Sequence, residues 1–218
     1  MPDPKRTVRV SADVSVSALL NQAPSARWTF IYAPGAGSNI NDAFGTTLAR
    51  DLPERGISVA RFQFPYMEAG RRGPDRPPVL EATWHAAIDA LRPGDGSRLV
   101  VGGRSMGGRI ASMAVASGAA VDAVALFAYP LHPPGKPERL RVEHLTDVRV
   151  PILFCSGTRD AFASPEELRA AAAQVERSHV HLLDGADHGF AVAKSSGRTK
   201  DDVAREAIAA MLQWLGDI

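Results

Sequence analysis

Short runs rich in β-branched and aromatic residues, largely unbroken by charge, recur six times along the chain: residues 28–34 (WTFIYAP), 57–65 (ISVARFQFP), 98–103 (RLVVGG), 121–130 (VDAVALFAYP), 150–157 (VPILFCSG) and 178–185 (SHVHLLDG). Runs of this kind suit strands buried on both faces of a parallel sheet. Segments with helical spacing lie between them. Phe44, Leu48 and Leu52 repeat every four residues, and Leu80, Trp84, Ile88 and Leu91 follow Pro77-Pro78 in a similar rhythm. Ser164, Pro165 and Glu167 have the spacing of a capping box with proline in the first turn, and Val203, Ala207, Ile208, Met211 and Leu215 share one face of a last helix. Strand followed by helix, repeated, predicts a doubly wound α/β fold: a mostly parallel sheet with helices on both faces. The alternating stretch RTVRVSADVSVSALL near the start predicts an antiparallel pair at one sheet edge.

No break in composition divides the chain, so residues 1–218 are expected to form one domain. Two loop-rich segments, 68–78 (EAGRRGPDRPP) and 131–145 (LHPPGKPERLRVEHL), read as insertions at the sheet's edge. The 25 basic and 24 acidic residues nearly cancel, leaving a net charge of +1. That balance gives no electrostatic reason to expect nucleic acid or an anionic membrane as a partner. The single cysteine, Cys155, excludes an intrachain disulfide, and no apolar run has the length of a membrane span, so a cytoplasmic location is expected. Cys155 itself reads as core. His179 and His181 face one side of a strand without a third ligand, which makes a weak metal site, so they read as surface residues and no metal is expected.

At residues 101–113 the sequence reads VVGGRSMGGRIAS, passing from a β-branched run through glycines and one serine into an alanine-rich helix. Gly103-Arg104-Ser105-Met106-Gly107 fits G-x-S-x-G, a sharp strand-to-helix turn that exposes a nucleophilic serine. Glycines are needed there because strand and helix backbones pass close by, and the helix N-terminus faces any negative charge that develops. Such an elbow requires an acid and then a histidine at the ends of later strands. The strand at 150–157 is followed by Thr158-Arg159-Asp160, and that at 178–185 by Ala186-Asp187-His188-Gly189-Phe190. Ser105, Asp160 and His188 are therefore the expected nucleophile, acid and base. Asp187 is the rival acid, but its place beside His188 in sequence disfavours reaching the far ring nitrogen.

GGRSMGG, GTRD and DHGF, over nearly the whole chain, resemble the α/β-hydrolase superfamily, in particular its small, lid-poor branch similar to dienelactone hydrolase. FPYMEAGRRGPDRPP and YPLHPPGKPERL are similar to bacterial members described as predicted hydrolases. The resemblance implies acyl transfer by Ser, His and Asp without a cofactor. Dienelactone hydrolase has a cysteine nucleophile, whereas this elbow holds Ser105.

The oxyanion hole is expected from the backbone N–H groups of Met106 and of Ala36, with Gly35 as the alternative donor. Family members often have His-Gly in this loop, where the chain has Pro34, which carries no N–H. Arg104 either binds a substrate carboxylate or pairs with Glu68 or Asp75, the second being favoured because a charge so near the sheet needs a fixed partner. Tyr66 and Tyr129 are expected either to rim the pocket or to pack. Arg71, Arg72, Arg76, Lys136, Arg139 and Arg141 form either a solvated rim or a field that steers acidic substrates. The leading functional expectation is hydrolysis of a small carboxylic ester or thioester. A serine peptidase or amidase, and a non-catalytic interaction protein on the same fold, are the alternatives. Oligomeric state is open.

Overall fold

The computed structural model describes residues 4–218. In chain order its elements are β1 (Lys5–Arg9), β2 (Ser15–Asn21), β3 (Trp28–Ala33), α1 (Ala43–Asp51), β4 (Ile57–Phe62), α2 (Pro65–Glu68), α3 (Pro77–Leu91), β5 (Arg98–Arg104), α4 (Met106–Ala116), β6 (Ala123–Phe127), β7 (Ile152–Gly157), α5 (Pro165–Ala172), β8 (Ser178–Leu183) and α6 (Lys200–Asp217). The eight strands form one sheet in the order β1-β2-β4-β3-β5-β6-β7-β8. β1 pairs with β2, and β2 with β4, in antiparallel fashion, and all other pairings are parallel. The early alternating stretch is thus the predicted edge hairpin, with Val8 opposite Val16.

Strand alternation divides the apolar side chains between two cores. Ile31, Val101, Val124 and Phe154 face one side of the sheet, against Trp84 and Ile88 of α3, Ile110 of α4 and Leu168 of α5. Phe30, Val100, Ala125 and Leu153 face the other, against Phe44 and Leu48 of α1 and Met211 and Trp214 of α6. Each such side chain, fully buried, contributes roughly 1.5–3 kcal/mol relative to leaving it in water. The helix starts follow the sequence signals. Ser164 and Glu167 make the reciprocal bonds of a capping box on α5. A second box, Thr199 with Asp202 on α6, has the same logic and was not anticipated.

Two expectations are corrected. The run at 178–185 is not a strand buried on both faces: β8 is the far edge, and only Leu183 of its residues is fully enclosed. Segments 68–78 and 131–145 do not sit at the sheet's edges either. They follow α2 and β6 and arch over the carboxyl ends of interior strands. The chain enters β3, moves outward to β4, then returns across β3 to β5. The loops after β3 and β5 therefore part at the point where the winding direction reverses, which opens a crevice between them.

Candidate active site

The elbow lies in that crevice, with Ser105 lining it beside Gly35 and Ala36. Ser105 has φ 51° and ψ −119°, a left-handed conformation disfavoured for a residue with a side chain. It is held there by neighbours on both sides. The Ser105 N–H donates to the Phe127 carbonyl at 2.8 Å, and the Arg109 N–H to the Ser105 carbonyl at 3.0 Å. A Cβ at Gly103 or Gly107 would overlap the Ala33 carbonyl at the end of β3, so the close approach of strand, elbow and helix permits only glycine. Trp84 of α3 donates its indole N–H to the Gly107 carbonyl at 3.1 Å, which ties α3 to the same turn.

Asp160 and His188 arrive from β7 and β8. A Cβ at Gly157 would overlap the Ala186 carbonyl, so the acid turn and the histidine loop also pack main chain on main chain. The Arg159 N–H donates to the Ala186 carbonyl at 2.9 Å, and Thr158 Oγ1 accepts the Gly185 N–H at 2.8 Å. This places His188 Nδ1 at 2.9 and 2.8 Å from the Asp160 carboxylate oxygens, and His188 Nε2 at 2.9 Å from Ser105 Oγ. A carboxylate only accepts, so Nδ1 carries the proton and the Nε2 lone pair faces the serine hydroxyl. Asp160 is buried, and its Oδ1 also accepts the Phe162 N–H at 2.8 Å. Asp187, the rival, turns away. Its Oδ1 accepts the Gly189 and Ala191 N–H groups at 2.7 and 2.8 Å and so shapes the histidine loop from below.

Phe162 is a site residue that the sequence reading missed. Its ring stacks on the His188 imidazole at 4.1 Å between centroids. Its position two residues after Asp160, in the turn that the acid caps, was the available signal.

The group opens into a cleft of about 590 Å³. Gly35, Ala36, Met106 and Arg104 line it beside Ser105. Met106 begins α4, where the first N–H groups have no intrahelical acceptor, and Ala36 sits in a turn closed by the Ser38 N–H to the Gly35 carbonyl at 3.2 Å. Tyr66 and Tyr129 do not rim the cleft. Tyr66 is buried and donates its hydroxyl to the Ala36 carbonyl at 2.8 Å, so it supports the loop after β3 from behind. Burial, with Asp75 adding, pushes its phenol up to about 12. Tyr129 is buried and donates to the Arg141 carbonyl at 2.9 Å, and burial raises its phenol as well.

Arg104 does not pair with Glu68 or Asp75. Glu68 is taken by Ser17 and Gln63, and Asp75 accepts the Tyr66 N–H and pairs with Arg71. Arg104 instead donates to the His188 carbonyl at 2.8 Å, with its guanidinium 5.4 Å from the Phe190 ring centroid, and so straps the histidine loop to the elbow. Of the six loop cations expected near the mouth, Arg141 lines the cleft, while Arg71, Arg72, Arg76, Lys136 and Arg139 are exposed. Arg109 lines it too, unanticipated, although its place four residues after Ser105 puts both on one helix face.

Elsewhere, Cys155 is buried in β7 as expected, and burial pushes its thiol up. His181 pairs with Glu206 at 3.1 Å, and His179 is exposed. Among the described residues, no group of three or more His, Cys, Asp or Glu is placed to hold a metal ion, and no helix is long and apolar enough to cross a membrane.

Solved structures share this architecture at low identity. An alpha-beta serine hydrolase homologue from Coxiella burnetii aligns with a TM-score of 0.76 at 18% identity, over 96% of this chain and 98% of that one. A serine hydrolase without lid from Xanthomonas campestris aligns with a TM-score of 0.75 at 18% identity, over 98% and 95%. A dienelactone hydrolase from Anabaena variabilis aligns with a TM-score of 0.71 at 20% identity, over 94% of each chain. The lid-poor and dienelactone-hydrolase-like proteins that the motifs resemble are thus both among the structural neighbours. A family model described as alpha/beta hydrolase domain matches residues 26–216, a span that starts just before β3, ends within α6 and takes in the elbow, the acid turn and the histidine loop. The chain therefore belongs to the α/β hydrolase domain family.

Proposed function

We propose that the protein is a serine hydrolase that cleaves a small carboxylic ester or thioester through an acyl-enzyme on Ser105. The observation that carries this reading is the unbroken chain from Ser105 Oγ through His188 to Asp160, with every link at 2.8–2.9 Å, opening into the cleft. Ser105 Oγ attacks the acyl carbon while its proton passes to His188 Nε2. Asp160 holds the ring and stabilises the imidazolium that results. The carbonyl oxygen becomes an oxyanion facing the N–H groups of Met106 and Ala36, where fixed donors in a partly enclosed site need no reorganisation. His188 then protonates the departing alcohol or thiol. Water enters, gives a proton to His188, attacks the acyl carbon and releases the acid, and Ser105 recovers its proton. Arg104 and Phe162 act as positioning residues in this scheme, one on the His188 carbonyl and the other on its ring face.

The test pairs a fluorophosphonate label with an activated short-chain ester. Wild-type protein should take up one label on Ser105 and turn the ester over. Ser105→Ala should do neither, with turnover reduced on the order of 10⁶-fold and the melting temperature retained. Wild-type hydrolysis by Ser105→Ala, or labelling elsewhere, would refute the assignment.

A further inference from the structure

Arg109 and Arg141 meet at the wall between the catalytic cleft and an adjoining groove, and both line both hollows. Both side chains are half-buried. Among the described residues neither guanidinium has a carboxylate partner. The one side-chain bond of Arg109 goes to the weak acceptor Met113 Sδ at 3.3 Å. This differs from Arg71, Arg198 and Arg205, each of which is matched to an acid. Burial, then the charge of Arg109, holds the Arg141 guanidinium below its usual value. The pair is nevertheless held in place. Arg109 lies on α4 one turn after Ser105, and the Arg141 backbone is pinned at both ends: its N–H donates to the Leu131 carbonyl at 2.8 Å and its carbonyl accepts the Tyr129 hydroxyl at 2.9 Å. His144 beside them bonds Ser112 Oγ at 2.8 Å and adds no charge near neutrality, since burial and Arg109 push it down to about 4.

Glu143 and Asp147 line the adjoining groove but make no ion pair with either guanidinium, so the cleft wall beside the nucleophile presents two cations whose charge no acid in contact neutralises and a ligand can. We propose that Arg109 and Arg141 form an anion subsite that takes a dianionic phosphate group carried by the ester or thioester substrate. The charge count selects the ligand. One carboxylate would neutralise a single guanidinium and leave the other half-buried and uncompensated, whereas a phosphate monoester neutralises both and offers three oxygens to the two planar forks. The inference rests on the serine-hydrolase reading of the same cleft.

The experiment follows hydrolysis of p-nitrophenyl acetate by the full chain with added inorganic phosphate, acetate or chloride, at constant ionic strength to remove general screening. Phosphate should inhibit competitively, raising KM at constant kcat, and at least tenfold more tightly than acetate. Arg109→Gln and Arg141→Gln should each weaken that inhibition tenfold or more, with melting temperatures confirming that both variants fold. Phosphate no better than chloride, acetate equal to phosphate, or undiminished phosphate inhibition in both variants would each overturn the proposal. Calorimetry of phosphate binding requires no turnover and separates the two readings. Binding without ester hydrolysis removes the hydrolase assignment and leaves the anion subsite, and hydrolysis without binding does the reverse.

Discussion

The inner wall of the cleft, formed by the elbow at 103–108, the acid turn at 157–162 and the histidine loop at 186–190, has main chain packed directly on main chain, whereas the outer wall, residues 68–78 and 131–145, shows no such glycine contact and relies on hydrogen bonds. On the inner side, Gly103 and Gly107 touch the Ala33 carbonyl and Gly157 touches Ala186 so closely that no side chain fits between. On the outer side, hydrogen bonds make the links: Asp75 to the Tyr66 N–H, Tyr129 to the Arg141 carbonyl, His144 to Ser112, and the Arg141 N–H to the Leu131 carbonyl. The difference divides the labour. The inner wall fixes three side chains that must stay within hydrogen-bond reach of one another. The outer wall makes no such backbone contact with them, and it carries Arg141, one of the two cations proposed to bind a substrate's phosphate.

The largest effect should come from the inner wall's acid. Asp160→Asn keeps the shape but favours the wrong tautomer of His188, lowering kcat on the order of 10⁴-fold. Asp187→Asn retains an oxygen for the Gly189 and Ala191 N–H groups and should lower kcat less than about tenfold. Steady-state kinetics on an activated ester compares the two, and a larger loss at Asp187 would reverse their roles.

Stability should show the contrast next. Gly107→Ala drives a methyl group into the Ala33 and Pro34 carbonyls and should destabilise by about 3 kcal/mol. Gly73→Ala, in the outer wall, meets no atom within 4 Å and should stay within about 0.5 kcal/mol of wild type. Urea unfolding measures both, and similar values would erase the distinction between the walls.

Tyr66 ties Asp75 of the outer wall, through its N–H, to the loop after β3, through its hydroxyl on the Ala36 carbonyl. Tyr66→Phe should lose about 1 kcal/mol of loop support, about fivefold in kcat, with KM unchanged. A rise in KM alone would make Tyr66 a determinant of substrate binding instead.

The last contrast is set by pH and should be confined to the outer wall. His144 has a lower pKa folded, about 4, than the ordinary 6.5. Its neutral form stabilises the fold fully above the unfolded value, and that contribution is lost as pH falls from 6.5 towards about 4, because the unfolded chain binds the proton first. The urea midpoint of wild type should fall across that window. His144→Asn should show a shallower fall, whereas Ser105→Ala should keep the wild-type slope. Equal slopes for wild type and His144→Asn would remove His144 as the acid-sensitive tie.

The sheet, its edge hairpin and the order of elbow, acid turn and histidine loop were legible from the amino-acid sequence. These depend on local rules: period-two and period-four apolar patterns, caps at helix starts, and glycines where backbones nearly touch. The same rules named Ser105, Asp160 and His188, three side chains that lie within hydrogen-bond reach of one another. Where long side chains point depends on the folded arrangement. Arg104 reaches the His188 carbonyl instead of a loop acid, Tyr66 and Tyr129 turn inward to hold carbonyl groups, Phe162 covers the histidine, and Arg109 and Arg141 come together from a helix and a loop. A backbone requirement is met by residues close in sequence and leaves a local mark. A long side chain has several rotatable bonds and takes its partner from whichever distant segment the fold brings within reach, so no spacing along the chain encodes that choice.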